Sequence, residues 1–433
     1  MSTLPTLDID TLSQAVAGGA AAIRAITRLQ PAGGPGDKVF PPTYAVKSGL
    51  RYAVEERTLA GERVSTVLLD SVASQANRVE EALYAGWEAG RLHFPVISVD
   101  FSGEEGLDDL DRISTLHAPH RIADAILRDA VDEGGTRFRD TPVGMEYTNA
   151  SAKSATAIYR FCPHALVLGV WDSTGPKGGM GNKIQRALVS EIVGVGVVTG
   201  KKTASRLDPL GVVKGGAVVY HLRGSKKDWT LDPDLAELEK GKPKLFAAKK
   251  GEGSATGAPS AVNHSNVAPS IDDTSGGVTI DHALQTVVLS LAALRKLRFL
   301  HDCGGRPLPR EQRHAAETAA RTALAALALA GVTGARAEGY HLRSRSLLVP
   351  EGGEGLVLEV LPSEGGEPRR YSLDAAGAAA LLKKAHAAAA AQGFAWDREP
   401  MVLKPAPKLA DLVRKSRAAA AAGELDSDEE TTS

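Results

Sequence analysis

Between residues 8 and 131, short apolar runs of strand character take turns with amphipathic runs of helical period, and this alternation commits the chain to a sheet covered by helices. Residues 8–29 read as a helix that passes into a strand around Ala21 to Leu29. RYAVEER (51–57) and RVSTVLLD (63–70) read as a hairpin about Ala60-Gly61, and SQANRVEEAL (74–83) switches to helical spacing. FPVISVDF (94–101) is a strand candidate and HRIADAILRDAV (120–131) a helix candidate. In QPAGGPGDKVFPPTY (30–44), four prolines and three glycines exclude a long helix and leave an extended, tightly turned segment. The class is α/β or α+β.

Further along, ALVLGVW (165–171) is short, partly β-branched and bounded by turn residues, so it reads as a buried strand. NKIQRALVSEIVG (182–194) places Ile184, Ala187, Leu188 and Ile192 at helical spacing, with Asn182 as N-cap and Gly194 as stop. Residues 196–235 turn β-rich and basic, and 241–279 form a long Gly/Ser/Pro/Asn-rich loop. TIDHALQTVVLSLAALRKLRFL (279–300) predicts a long core helix, whose basic end (Arg295, Lys296, Arg298) complements the helix dipole. Helices are expected at 314–330, 374–391 and 408–422, strands at 344–350 and 356–362, and disorder in the acidic tail 426–433.

Charge sharpens the picture locally. The 433 residues carry a net charge of −1 and only 5% aromatics, so nothing global announces a nucleic-acid binder. Between Lys177 and Lys227, however, ten Lys/Arg face only Glu191 and Asp208. Such a strip suits a polyanion that touches one face, and equally a solvated surface. Cys162 and Cys303 stand far apart without CxxC or zinc-ligand spacing, which indicates neither a disulfide framework nor a metal site. MSTLPTLDIDTL lacks the blocks of a signal peptide, and the alanine-rich 315–331 carries Glu317 and Arg321 and is too short to span a bilayer. A reduced cytoplasm is the expected location.

The stretch DSTGPKGGMGNKIQR (172–186) lies between the strand-like and the helix-like run. Glycines let a backbone approach a phosphate, and a helix N-terminus offers unpaired N–H groups to it. The spacing fits neither nucleotide-binding glycine template, which favours a sugar-phosphate backbone over a mononucleotide and leaves a flexible, solvated connection as the bland alternative. GGPGD (33–37) offers a second set of amides. Lys38, Arg51, Arg57, Arg78, Lys177, Lys183 and Arg186 are candidate phosphate ligands, with Gly178 and Gly179 in the loop between the last two lysines. Gln75 and Asn77 beside Arg78 are placed for a 2′-hydroxyl or base edge, or simply for the polar start of a helix. The carboxylates and histidines form no HExxH, GxSxG or acidic metal-binding repeat, so no catalytic constellation emerges.

Four blocks resemble a known family: PAGGPGDKVFPPTY (31–44), LLDSVASQANRVEEAL (68–83), WDSTGPKGGMGNKIQRALVSEIVG (171–194) and SNVAPSIDDTSGGVTIDHALQTVVLSLAALRKLRF (265–299). They are similar to the backbone subunit of type I-U (also called I-G) CRISPR Cascade complexes, in the Cas-seven group of the RAMP superfamily. The resemblance implies an α+β fold with an RRM-like, ferredoxin-type βαββαβ palm over residues 1–360, and large insertions that form thumb or web elements. The thumb falls in 30–65 or 241–279, followed by a helical extension over 361–425. It further implies copies stacked head to tail on one CRISPR RNA, target DNA paired through the guide, a large subunit, a Cas-five/Cas-six-type subunit and a recruited helicase-nuclease. The sequence lacks the aromatic RNP-like strand of an RRM, which argues against base stacking on the sheet. Carried onto this chain, the resemblance makes Ser74, Gln75, Asn77 and Arg78, and Lys177 to Lys183, the leading guide contacts, with Arg186 one helical turn beyond. Related type III subunits cut RNA with a loop aspartate, which makes Asp37 the candidate of a rival reading, a metal-dependent ribonuclease. A third reading makes 175–183 a nucleotide pocket. No cofactor, metal, membrane contact or catalysis by this chain alone is expected.

Overall fold

The computed structural model describes residues 4–175, 183–225, 227–247, 256–352, 355–397 and 399–422. The fold is α+β. Contacts divide the chain into unit 1 (1–42, 54–197, 280–414) and unit 2 (43–53, 198–279, 415–433).

Unit 1 is built on a nine-stranded sheet. Its first strand, β1 (Ala20–Pro31), follows helix α1 (Ile9–Gln14), as the sequence implies. The hairpin β2 (Val54–Leu59) and β3 (Glu62–Asp70) and the helix α2 (Val72–Glu88) also fall where expected. The remaining elements used below are strands β4 (Ile97–Asp100), β5 (Val170–Trp171), β6 (Lys183–Ile184), β7 (Leu188–Val195), β8 (His282–Ser290), β9 (Tyr340–Arg343), β10 (Ser346–Pro350), β11 (Val357–Pro362), β12 (Arg369–Ser372) and β13 (Met401–Pro405). The helices are α3 (Pro163–Leu168), α4 (Leu291–Arg295), α5 (Arg310–Glu338), α6 (Ala375–Ala391) and α7 (Pro407–Ala422).

The strand order is β9-β10-β1-β8-β7-β3-β2, and β11 shares the outer edge of β1 with β10: Ala20–Arg24 pair with β11 and Leu29–Pro31 with β10. Every pairing in this sheet is antiparallel, so β1 and β7 run parallel with β8 between them. In sequence, α2 lies between β1 and β7, and α5 between β8 and β11. Along β1, Ile23, Ala25, Thr27 and Leu29 are buried, and Arg24, Ile26 and Arg28 point to the opposite, open face.

Helix α5 forms the centre of the core and is buried almost continuously from Ala316 to Thr333. Its composition would let it cross a membrane, yet here it is surrounded by protein. Alanine supplies both helix propensity and the small profile that lets α2 and α6 pack close. Glu317 inside this helix accepts from Arg321 (2.9 Å), Arg298 (2.9 Å) and the Phe299 amide (3.2 Å), so its charge is paired.

Several expectations are overturned. Residues 163–168 are helix, and only Val170 and Trp171 are strand, because a short apolar run buried on all sides carries no period to tell the two apart. The expected N-cap Asn182 lies outside the described residues, and 183–194 is not a helix but β6 and most of β7, where Val189, Ile192 and Val193 suit the ladder with β3 and β8. Residues 279–300 hold the nine-residue strand β8, with Thr286, Val287 and Val288 in the ladder, and then Ser290 caps the short α4 through the Ala293 amide (3.1 Å). Residues 120–131 break into a 3₁₀ turn, one α-turn (Ala125–Arg128) and a two-residue strand. Residues 361–414 of the expected C-terminal extension are woven into unit 1: β12 pairs with β11, β13 lies parallel to β4, and α6 packs along α5. The tail 426–433 lies outside the described residues.

In unit 2, Lys202–Arg206 pairs with Val267–Asp272 and Val198–Thr199 with Val278–Thr279. The segment 43–53 joins it: the Arg51 amide donates to Thr274 O (3.0 Å), and the Gly277 amide to Tyr52 Oη (2.8 Å). The span 241–279, read as one long loop, thus contributes strands on either side of residues 248–255.

Candidate nucleic-acid interface

Helix α3 ends at Leu168, and Gly169 turns the chain with φ +89°. A Cβ there would lie 2.8 Å from Arg186 Cγ and 3.2 Å from Ile184 O, so the turn requires glycine. It launches β5, which pairs with β6 so that Trp171 stands opposite Lys183. Trp171 is 53% exposed, and Lys183 Nζ lies 5.3 Å from its ring centroid.

Beside this ladder opens a cavity of about 650 Å³. Buried Leu166, Leu168, Ala187, Ala293 and Leu297 supply its apolar wall, and exposed His120, Lys183, Arg186 and Lys296 its polar edge. Arg121, 6% exposed, fixes the wall from behind. It donates to Gly169 O (3.0 Å) and clasps the Glu80 carboxylate at 2.6 and 3.0 Å. Burial pushes Glu80 up to about 7 against the pull of Arg121 and Arg186. At the root of the glycine stretch the buried Asp172 accepts two bonds from Arg139, at 2.8 and 3.0 Å. The arrangement offers cationic side chains to an anion next to an exposed aromatic face. Because the described residues after the glycines begin with a strand and not a helix, no helix N-terminus among the described residues contributes there.

The open face of the sheet is chemically different, because its arginines are neutralised. Arg24 meets Glu359 (2.6 Å), Arg28 meets Glu351 (2.8 Å), and Arg57 meets Glu191 (2.8 Å) and Glu55 (2.6 Å). The Glu191 bond, ahead of Glu55, raises the Arg57 pKa further.

Of the residues proposed from sequence, Lys183 and Arg186 come together at the cavity. Lys177, Gly178 and Gly179 lie outside the described residues. Arg51 is exposed in unit 2. Lys38 follows the GGPGD turn, where its amide donates to Asp37 Oδ1 (2.9 Å). Asn77 is exposed on α2. Its neighbours turn inward around Asp70, which is fully buried: Ser74 Oγ donates to it at 2.7 Å, Gln75 Nε2 at 2.5 Å and Arg78 Nε at 2.9 Å. Gln75 is 4% exposed, and its carbonyl oxygen accepts from Ser190 Oγ (2.6 Å) and Gln285 (2.9 Å). Arg78 also donates to Leu342 O at 2.8 Å. These side chains tie α2 to β7, β8 and β9, drawn inward by a strand-end carboxylate. Among the described residues, no three His, Cys, Asp or Glu side chains group as metal ligands.

Trp171 and Lys296 belong to the cavity and were not singled out as contacts from sequence. A lone tryptophan in a run read as a buried strand gave no signal of exposure, and Lys296 was absorbed into a helix end. Arg24 and Arg28 were legible in principle, since AIRAITR places them at two-residue spacing around Ile26.

A search of curated proteins finds no match. A family model described as CRISPR-associated protein GSU0053 matches residues 23–199, which run from β1 through β7 and hold the β5–β6 ladder and most of the cavity. Over residues 23–199 this chain is therefore similar to the GSU0053 family of CRISPR-associated proteins.

Proposed function

We propose that the chain is a CRISPR RNA-binding backbone subunit of a type I-G (I-U) Cascade complex, without catalytic activity of its own, acting in the cytoplasm. Copies stack head to tail along one guide RNA and present its spacer to target DNA. The large subunit, a Cas-five/Cas-six-type subunit and a helicase-nuclease complete the machinery. The observation that carries this reading is the pairing of Lys183 and Arg186 with exposed Trp171, inside the stretch that matches a CRISPR-associated family. Cations positioned without a base-reading hydrogen-bond set hold a backbone regardless of sequence.

Two features of the fold support it. The order β11-β1-β8-β7, with α2 and α5 as the crossovers, is the order expected of an RRM-like, ferredoxin-type βαββαβ palm. Unit 2 includes the β7–β8 connection and residues 43–53, so the thumb alternative 241–279 shares a body with the 43–53 part of the alternative 30–65, whose remaining residues belong to unit 1. Leu207, Leu210, Val213 and Ile271 remain exposed on it, an apolar surface suited to a neighbouring subunit.

The test is to express the chain with its neighbouring operon proteins and a CRISPR array, and to sequence the RNA that survives nuclease and salt washes. Uniform RNA carrying spacer sequence is the expected result, and a folded, assembled complex devoid of RNA would refute the proposal.

A further inference from the structure

We propose that the cavity beside β5 and β6 takes one whole nucleotide, its base stacked on Trp171 and its phosphate held by Lys183, Arg186 and Lys296. This rests on the RNA-binding reading and assigns within it a place where a base leaves the strand.

The argument starts from the tryptophan. An indole more than half exposed at 53% is held on a two-residue strand whose turn is fixed by Gly169 and by the buried Arg121 behind it. The ring is therefore presented by a rigid support and left more than half exposed. Its cross-strand neighbour Lys183 shows that the face accepts a partner. The cavity, about 650 Å³, falls within the range of about 300–1,000 Å³ usual for small-ligand sites. Its two halves match the two halves of a nucleotide. Leu166, Leu168, Ala187 and Leu297 form a wall that has no use for a phosphate, and the three cations form an edge that has no use for an aliphatic ligand. No ion pair occupies Arg186 or Lys296 among the described residues, in contrast to the neutralised arginines of the open sheet face. Stacking tolerates every base, which suits a protein that must accept any spacer.

A nucleotide reaches such a site either within an RNA strand or as a free mononucleotide, and the experiment separates the two. With the full-length chain, binding of a labelled single-stranded RNA is followed by fluorescence anisotropy across a salt series. Trp171→Ala is expected to weaken binding about tenfold, as loss of one base–aromatic stack does. The dependence on salt should not change, since an uncharged contact releases no counterion. Trp171→Phe should restore most of the affinity. A strand of the same length made of abasic units should bind wild type and Trp171→Ala alike. Equal affinity of the two proteins for intact RNA, with unchanged melting, would overturn the assignment to a strand. AMP bound by the wild type but not by Trp171→Ala would then place a free mononucleotide in the pocket, and the absence of AMP binding as well would overturn the nucleotide site altogether. A wild-type chain that binds no RNA under any condition would instead refute the function proposed above, and AMP titration would still decide the pocket.

Discussion

Asp70 shows how a single buried carboxylate can redirect polar residues that look like surface ligands. It is fully enclosed and accepts from Ser74, Gln75 and Arg78, with Arg343 at 3.7 Å. Asp70→Ala would leave Arg78 Nε and the Gln75 amide nitrogen without their carboxylate acceptor, and a loss of about 3 kcal/mol in urea unfolding is expected. Nothing in SQANR marks this inward turn, because helical spacing says which residues share a face but not which buried anion lies opposite. His164 sets a second residue-scale expectation. It is fully buried against Cys162 Sγ (3.4 Å) and Thr115 O (3.3 Å), and burial, reinforced by the positive charge of Arg121, pushes its pKa down to about 3. The unfolded chain, with histidine near 6.5, binds a proton that the folded chain refuses, so this contribution is complete above about pH 6.5 and is lost as pH falls toward 3. Unfolding followed from about pH 7 to about pH 5 should show stability falling by up to about 1.4 kcal/mol per pH unit from this group, and His164→Asn should flatten the slope.

Among the elements, those whose pattern was local were readable, and those that depended on a partner were not. The β2–β3 hairpin, α2, α5 and α6 carry their own turn residues, caps or long runs of helix formers, and they appear where the sequence puts them. The strands β7 and β8 do not. Leu188, Ile192, Leu284 and Val287 satisfy a helical period by coincidence, and only the eight register pairs from Leu289↔Leu188 to His282↔Val195 decide for extended chain. The candidate site suffered for the same reason, since misplacing α3, β6 and β7 hid the ladder that brings Trp171 and Lys183 together. The packing of helices gives a test of its own. At Gly331 of α5 a Cβ would lie 2.6 Å from Val79 Cγ1 and 3.1 Å from Leu83 Cγ, so α2 rests directly on the backbone of α5. Gly331→Leu should force the two helices apart, and thermal melting should register a cost of about 1–3 kcal/mol.

At the level of the whole molecule, a near-neutral protein must hold a polyanion through local charge. Replacing Lys183, Arg186 and Lys296 by alanine together should weaken RNA binding alike for all sequences. The slope of log affinity against log salt should lose about 2 units, near 0.7 for each phosphate contact of a single strand. The same variants should melt as the wild type does, since the three side chains are exposed. The joint between the units has a consequence for how such a protein can be altered. The longest segment of unit 2 leaves unit 1 after Val197 and returns at Ile280, while the flanking residues Val195 and His282 already face each other across a ladder rung. Paired residues of an antiparallel ladder lie only about 5 Å apart, so the ends of the insertion are spliced at hairpin distance. The parent hairpin can therefore be closed by a short Asn-Gly turn, or opened to receive a different cassette, without re-registering a single strand of the sheet.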